Sequence, residues 1–188
     1  MHSLLAHGAG VAWLGRLLGP AARLGYNLIA VLHLGAVLLF GHWLAAGSLP
    51  FERADGLIWL QWAAVAAGLL IGGLALRDYD LGRFGGLWYL RNRSVPGAAE
   101  VPEPLVVTGL HRYVRHPLYS AAFLLLWGVV DGPLALATAV WASAYFVIGT
   151  WFEERKLVRL YGETYRAYRR RVPAFLPWKG RVRIEGLR

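Results

Sequence analysis

An all-α, polytopic membrane protein of about four transmembrane helices is the fold class this sequence predicts, on three observations. The 188 residues are 57% hydrophobic, 13% aromatic and only 16% charged, which is too apolar for an ordinary soluble domain of one-domain size. Four stretches lack Asp, Glu, Lys and Arg altogether: Leu24 to Ala46, Leu57 to Leu76, Pro117 to Val130 and Leu134 to Phe152. Finally, a four-span topology with both termini cytoplasmic collects nineteen of the twenty Lys and Arg residues on one side and leaves out only Arg53.

The segment Met1 to Gly25 carries apolar stretches with Arg16 and Arg23 after much of them rather than before, the wrong order for a cleaved signal. It reads as an amphipathic or interfacial lead-in. The first, second and fourth uncharged stretches approach or exceed the ~20 residues that cross ~30 Å of hydrocarbon. The third is short. Asp131-Gly132-Pro133 joins it to the fourth as a turn, which predicts a helical hairpin. Between the second and third spans, Asp78 to Trp88 mixes aromatics, charges and glycines in the manner of an interfacial or re-entrant segment, and Pro96, Pro102 and Pro104 then impose an extended course. Beyond the fourth span, Leu157, Leu160, Tyr161, Tyr165 and Tyr168 recur near a 3.6 period, so Glu153 to Tyr168 predicts an amphipathic helix that Pro173 and Pro177 end.

The expected organisation is a single domain over 1–188. Residues 1–76 form the lead-in and two spans, 77–116 a cytoplasmic loop, 117–152 the hairpin, and 153–188 a cytoplasmic helix and tail. With no cysteine, disulfides, thiolate metal sites and a nucleophilic Cys are excluded. The formal charge of +9 sits beside apolar segments, which assigns it to anionic lipid headgroups rather than to nucleic acid.

Two charged clusters lie where spans should meet the cytoplasm: Thr108 to Tyr119, containing His111, Arg112, Arg115 and His116, and Glu153-Glu154-Arg155. A tight hairpin turn brings them side by side, as a polar pocket with an apolar floor. Arg112 and Arg115 equally fit phosphate anchors, and the Glu pair fits a solvated helix start, although carboxylates directly abutting a 19-residue apolar span are costly without partners.

These residues carry a resemblance. Gly-x-x-Arg-x-x-Arg-His-Pro-x-Tyr from Gly109, followed from Glu153 by Glu-Glu-Arg-x-Leu-x-x-x-Tyr-Gly-x-x-Tyr-x-x-Tyr-x-x-x-Val-Pro-x-x-x-Pro, resembles the isoprenylcysteine carboxyl methyltransferase family, a superfamily that includes phospholipid N-methyltransferases and bacterial members. The resemblance runs from about Glu103 to Trp178. It implies a methyltransferase using S-adenosylmethionine and releasing S-adenosylhomocysteine, with cofactor contacts at Glu103, Pro104, Leu105, Val106, His116, Pro117, Leu118, Tyr119 and Glu153. His111 stands where the family usually has Tyr, so that contact passes to an imidazole or is lost. Gly149 stands where the eukaryotic prenylcysteine enzymes carry an Arg one turn before the first Glu.

Without that cation a carboxyl acceptor is poorly oriented, so thiol, amine and hydroxyl acceptors gain. Alignment of the acceptor with the sulfonium supplies most of the rate for a deprotonated acceptor, and Arg115 and Glu154 are the candidate acceptor contacts. The expected partners are membrane lipids and a lipid-like, prenylated or other membrane-partitioning acceptor. A small thiol of the methanethiol type is the alternative, and a non-catalytic helper of a respiratory or nitrogen-oxide system is the alternative of another class. No metal is expected: His111 and His116 lack a third ligand nearby, and His33 and His42, nine residues apart, miss a shared helix face. Gly72-Gly73 reads as a site of close helix packing.

Overall fold

The computed structural model describes residues 15–92, 105 and 107–182, and among them every regular element is a helix. Two compact units divide the chain, one of residues 1–46 and 79–104, the other of 47–78 and 105–188. The start of the predicted lead-in, residues 1–14, lies outside the described residues.

In the first unit, Pro20 stands in a 3-10 turn, Gly19–Ala21, that leads directly into α1, Ala22–Leu44. Pro at the start of a helix forfeits only an N–H that has no intrahelical partner. At 23 residues α1 matches the first predicted span, and both His33 and His42 lie on it. The predicted re-entrant segment is two short helices, α2 over Leu81–Gly85 and α3 over Leu87–Arg91. Asp80 caps α2 by accepting from the Arg83 amide at 3.1 Å, and Gly86, at φ 95°, supplies the left-handed residue that turns the chain into α3. Asn27 of α1 donates to the Gly85 carbonyl at 3.2 Å, and the Arg83 guanidinium covers the Trp88 ring at 4.2 Å.

The second unit contains α4, Asp55–Leu76, α5, Pro117–Gly128, and α6, Pro133–Arg171. Helices α1, α4 and α6 are long and apolar enough to cross a bilayer; α5, with 12 residues, is the short apolar arm of the hairpin. Helices α4 and α5 pack through small residues. A Cβ at Gly68 would stand 3.0 Å from the Ala121 carbonyl, and one at Gly128 would stand 2.9 Å from the Gln61 carbonyl and 2.7 Å from Val65. Of the predicted Gly72-Gly73 pair only Gly72 faces the partner, with Ala121 at 3.5 Å; nothing lies within 4 Å of a Cβ at Gly73.

Arg53, the one cation outside the charge partition, has a specific use. Its guanidinium donates to Gln61 Oε1 at 2.9 Å, and Gln61 Nε2 donates to the Val130 carbonyl at 2.6 Å, past the end of α5 where helical carbonyls lack partners. The Phe51 amide meets the Asp131 carbonyl at 2.8 Å, tying the segment before α4 to the hairpin turn. Across the hairpin, Trp127 donates to Ser143 at 3.0 Å and Ala139 is fully buried.

The predicted amphipathic helix after the fourth span is continuous with α6 but breaks at Gly162, at φ 58° and ψ −132°. Only glycine reaches that region without strain. The break serves packing: Tyr165, Tyr168 and Val172 close a buried cluster with Leu105, Val107, Leu157, Val158, Tyr161 and Val182.

The α4–α5 contact makes a differential prediction. Gly128→Ala places a methyl against backbone atoms that no rotamer change can move, and should cost roughly 1–3 kcal/mol of stability. Gly73→Ala meets open space and should be neutral or gain up to about 1 kcal/mol from the stiffer unfolded chain. Thermal unfolding of the two variants in detergent measures the contrast, and equal shifts would contradict this packing.

Candidate functional site

The two motifs meet at the α5–α6 seam because of how each chain segment is held. Thr108 leads into a 3-10 turn, Gly109–Arg112, in which Gly109 sits at φ 51°. Its missing side chain also makes room for Asp78 at the end of α4, whose carboxylate a Cβ would overlap. Pro117 then starts α5 and is fully buried. The chain after α6 returns alongside this entrance: the Arg115 amide donates to the Pro173 carbonyl at 2.8 Å, the His116 amide to Ala174 at 3.0 Å, and the Ser120 hydroxyl to Phe175 at 2.8 Å.

Glu154 is the centre of the cluster and is 8% exposed. Arg115 reaches one of its oxygens, Oε1, from Nε at 2.7 Å and from Nη2 at 2.6 Å, and His116 Nε2 lies 3.2 Å from the same atom. Arg169 faces the other oxygen at 3.7 Å. The remaining guanidinium nitrogen of Arg115 donates to the Arg169 carbonyl at 3.1 Å and to the Val172 carbonyl. Burial alone would raise the Glu154 pKa, but the His116 hydrogen bond and the Arg115 charge outweigh it and hold the carboxyl below its ordinary value.

Glu153 behaves differently. Its side chain is 45% exposed, with Oε2 3.3 Å from the Tyr119 hydroxyl and 3.8 Å from His116 Nδ1. His116 therefore lies between the two acids. Its ring stacks on Tyr119 at 5.6 Å and leans on Phe175 at 6.0 Å; Tyr119 in turn stacks on Phe146 of α6 at 5.1 Å. A stack of aromatic rings thus adjoins a half-exposed carboxylate and an imidazole.

His111 is buried in a separate set of contacts. Its Nδ1 lies 3.8 Å from Asp78, its carbonyl accepts from the Tyr168 hydroxyl at 2.7 Å, and burial lowers its pKa against the opposing pull of Asp78. Leu118 is partly buried on α5, and Leu105 packs onto the Tyr165, Tyr168 and Val172 cluster. Glu103, Pro104 and Val106 lie outside the described residues. Sequence reasoning missed Phe146 and Phe175, whose rings meet Phe123 of α5, and Thr150, which is buried on α6; the Val-Pro run before Phe175 is the available signal for the returning segment. Arg112 carries a buried Nε without a hydrogen-bond partner among the described residues. No group of three His, Cys, Asp or Glu that could hold a metal occurs among the described residues.

No family model matches the chain, and no solved structure does. Curated relatives do. A methanethiol S-methyltransferase of Crocosphaera subtropica is 31% identical over 193 aligned positions, covering 96% of this chain and 71% of that protein. Methanethiol S-methyltransferase 1 of Bradyrhizobium diazoefficiens is 28% identical, covering 96% of this chain and 64% of that protein. A protein-S-isoprenylcysteine O-methyltransferase of Schizosaccharomyces pombe is 33% identical over 79 positions, 39% of this chain and 33% of that protein. The fold and its paired motifs are those of an integral membrane methyltransferase. The chain belongs to the membrane methyltransferase family that takes in methanethiol S-methyltransferases and isoprenylcysteine carboxyl methyltransferases.

Glu154 gives a pH-dependent prediction. Because its folded pKa lies below its ordinary 4.5, the ionised acid stabilises the fold above that value, and the contribution fades as pH falls through the lower, folded pKa. Glu154→Gln removes the charge that Arg115 and Arg169 face and should cost about 3 kcal/mol at neutral pH. Unfolding midpoints of wild type and variant in detergent should converge in acid; a gap of constant size would remove the carboxylate as its cause.

Proposed function

We propose that the protein is an S-adenosylmethionine-dependent S-methyltransferase of small thiols, methanethiol among them, working at the cytoplasmic side of the inner membrane with both termini on that side. The observation that carries this reading is Gly149. It stands one turn before Glu153, a Cβ there would meet nothing within 4 Å, and so α6 offers open space but no cation at the position from which a carboxyl acceptor would be held. The relatives that align over nearly the whole chain are named for methanethiol, whereas the isoprenylcysteine relative aligns over 39% of it. Both support a small thiol over a prenylated or other lipid-like acceptor.

When bound, S-adenosylmethionine supplies a methyl group on a cationic sulfur. Glu153 and the Tyr119 hydroxyl suit its ribose hydroxyls, and the rings of His116 and Tyr119 suit its adenine, with Pro117 and Leu118 beside them. Arg112, with no carboxylate within ion-pair distance among the described residues, suits the carboxylate of its amino-acid tail. Arg115 is a positioning residue: it fixes Glu154, and through Glu154 the ring of His116. The thiol proton passes to water on ionisation, and alignment of the sulfur with the sulfonium methyl does the rest.

Calorimetric titration in detergent should show S-adenosylmethionine binding to wild type, weakened about tenfold or more in His116→Ala and in Glu153→Ala. Turnover should convert methanethiol to dimethyl sulfide and leave a prenylated cysteine unmethylated. A wild type silent in titration would end the methyltransferase reading of the site, and methylation of the prenylated carboxyl would end the thiol assignment.

A further inference from the structure

Thr150 is a buried polar group that the cluster leaves unused. It is 6% exposed, and its hydroxyl has no hydrogen-bond partner among the described residues. A helical threonine ordinarily bonds back to a carbonyl of the preceding turn, and a buried hydroxyl that bonds to nothing is costly enough that native structures rarely keep one without a reason.

Its place in the seam supplies a reason. Ala139, Ser143, Phe146, Thr150 and Glu154 follow one another at three- and four-residue spacing along α6 and share a face. Three of them meet α5 or the residues that lead into it: Ser143 accepts from Trp127, Phe146 stacks on Tyr119, and Glu154 receives Arg115 and His116. Thr150 is therefore set between the aromatic pair and the acid, next in sequence to Gly149 and its open side. A hydroxyl donor one helical turn from a stacked aromatic pair matches sulfur chemistry: the thiolate lone pair accepts from the hydroxyl, and polarisable sulfur and its methyl pack against ring edges.

We infer that Thr150 is a specificity-determining residue that binds the acceptor sulfur, an assignment resting on the thiol reading above. The bound species is the thiolate, its proton having gone to water. Its sulfur forms the new bond to the methyl carbon as the methyl-to-sulfonium bond breaks, and that bond's electron pair stays on the departing sulfur, leaving two neutral thioethers. Thr150 neither gains nor loses a proton in this step.

Thr150→Val keeps the shape and removes the hydroxyl. In detergent-solubilised full-length protein it should raise KM for methanethiol about tenfold or more, leave S-adenosylmethionine affinity within about twofold, and leave the unfolding midpoint unchanged or higher. Thr150→Ser, which retains the hydroxyl, should restore a KM near wild type and serves as the second variant should valine fail to fold. An unchanged KM in Thr150→Val, as a hydroxyl serving only a buried water would give, overturns the assignment. So does an equal loss of cofactor affinity. Failure of wild type itself to methylate any thiol would instead strike the functional reading beneath it.

Discussion

The ion pair between Arg115 and Glu154 is the constraint on which the second unit turns. A carboxylate withdrawn from water at the end of an apolar helix is tolerated only when its lone pairs are filled, and Arg115 fills one oxygen through two nitrogens. The same guanidinium reaches the carbonyls of Arg169 and Val172, which lie at the C-terminal end of α6 where helical partners run out. One side chain thereby neutralises the acid in the middle of α6, caps the far end of that helix and holds both against the start of α5. Bringing the helix end back within its reach requires the backbone break at Gly162, and that explains a glycine between Tyr161 and the two buried tyrosines.

Above this ionic centre the seam opens at the half-exposed Glu153, and below it is apolar. Tyr119 and Phe146 stack between the helices, Phe123 meets the edges of Phe146 and Phe175, and Trp127 with Ser143 supplies the deeper polar contact. The gradient follows from the sequence position of the charges. Everything from Leu134 to Phe152 lacks them, and Arg155 stacked on Trp151 at 3.4 Å marks the level where the helix leaves the apolar layer. Charged and aromatic groups therefore come together at this boundary, Glu154 with Arg115 and His116 and, a turn or two earlier on α6, Phe146 with Tyr119 and Phe123.

What was legible in the sequence is what depends on long runs or on chain direction. Uncharged stretches located the spans, Asp131-Gly132-Pro133 located the hairpin, and the hairpin in turn placed His116 beside Glu153. Features that depend on which neighbour a residue meets were not legible. Gly72 and Gly73 are indistinguishable as letters, yet only Gly72 faces Ala121, while Gly68 and Gly128, with no pair to flag them, make the tighter contacts. The 3.6 period through Gly162 reads as an unbroken helix because the residues on either side keep their phase. His111 and His116 look alike in the motif, but the 3-10 turn at Gly109 sends one to Asp78 and the other to the glutamates. Arg115 reads as a group free to touch an acceptor, and only the fold reveals how many partners already occupy it.

The adjacency of Glu153 and Glu154 has a geometric consequence. Successive residues on a helix diverge by about 100°, so two neighbouring carboxylates cannot both turn into the seam against α5. One is drawn in and the other is left at the rim, and their side chains are accordingly 10% and 45% exposed. His116 sits between, with one ring nitrogen toward each. The inward acid has its charge met by Arg115 and Arg169 and is fixed in place. Among the described residues the outward acid meets a tyrosine hydroxyl at 3.3 Å and a ring nitrogen at 3.8 Å, which leaves carboxylate lone pairs open to solvent. A single glutamate could take only one of these two positions. The doublet thus sets a buried, charge-matched carboxylate and a half-exposed one side by side on one turn of helix, with the imidazole between them.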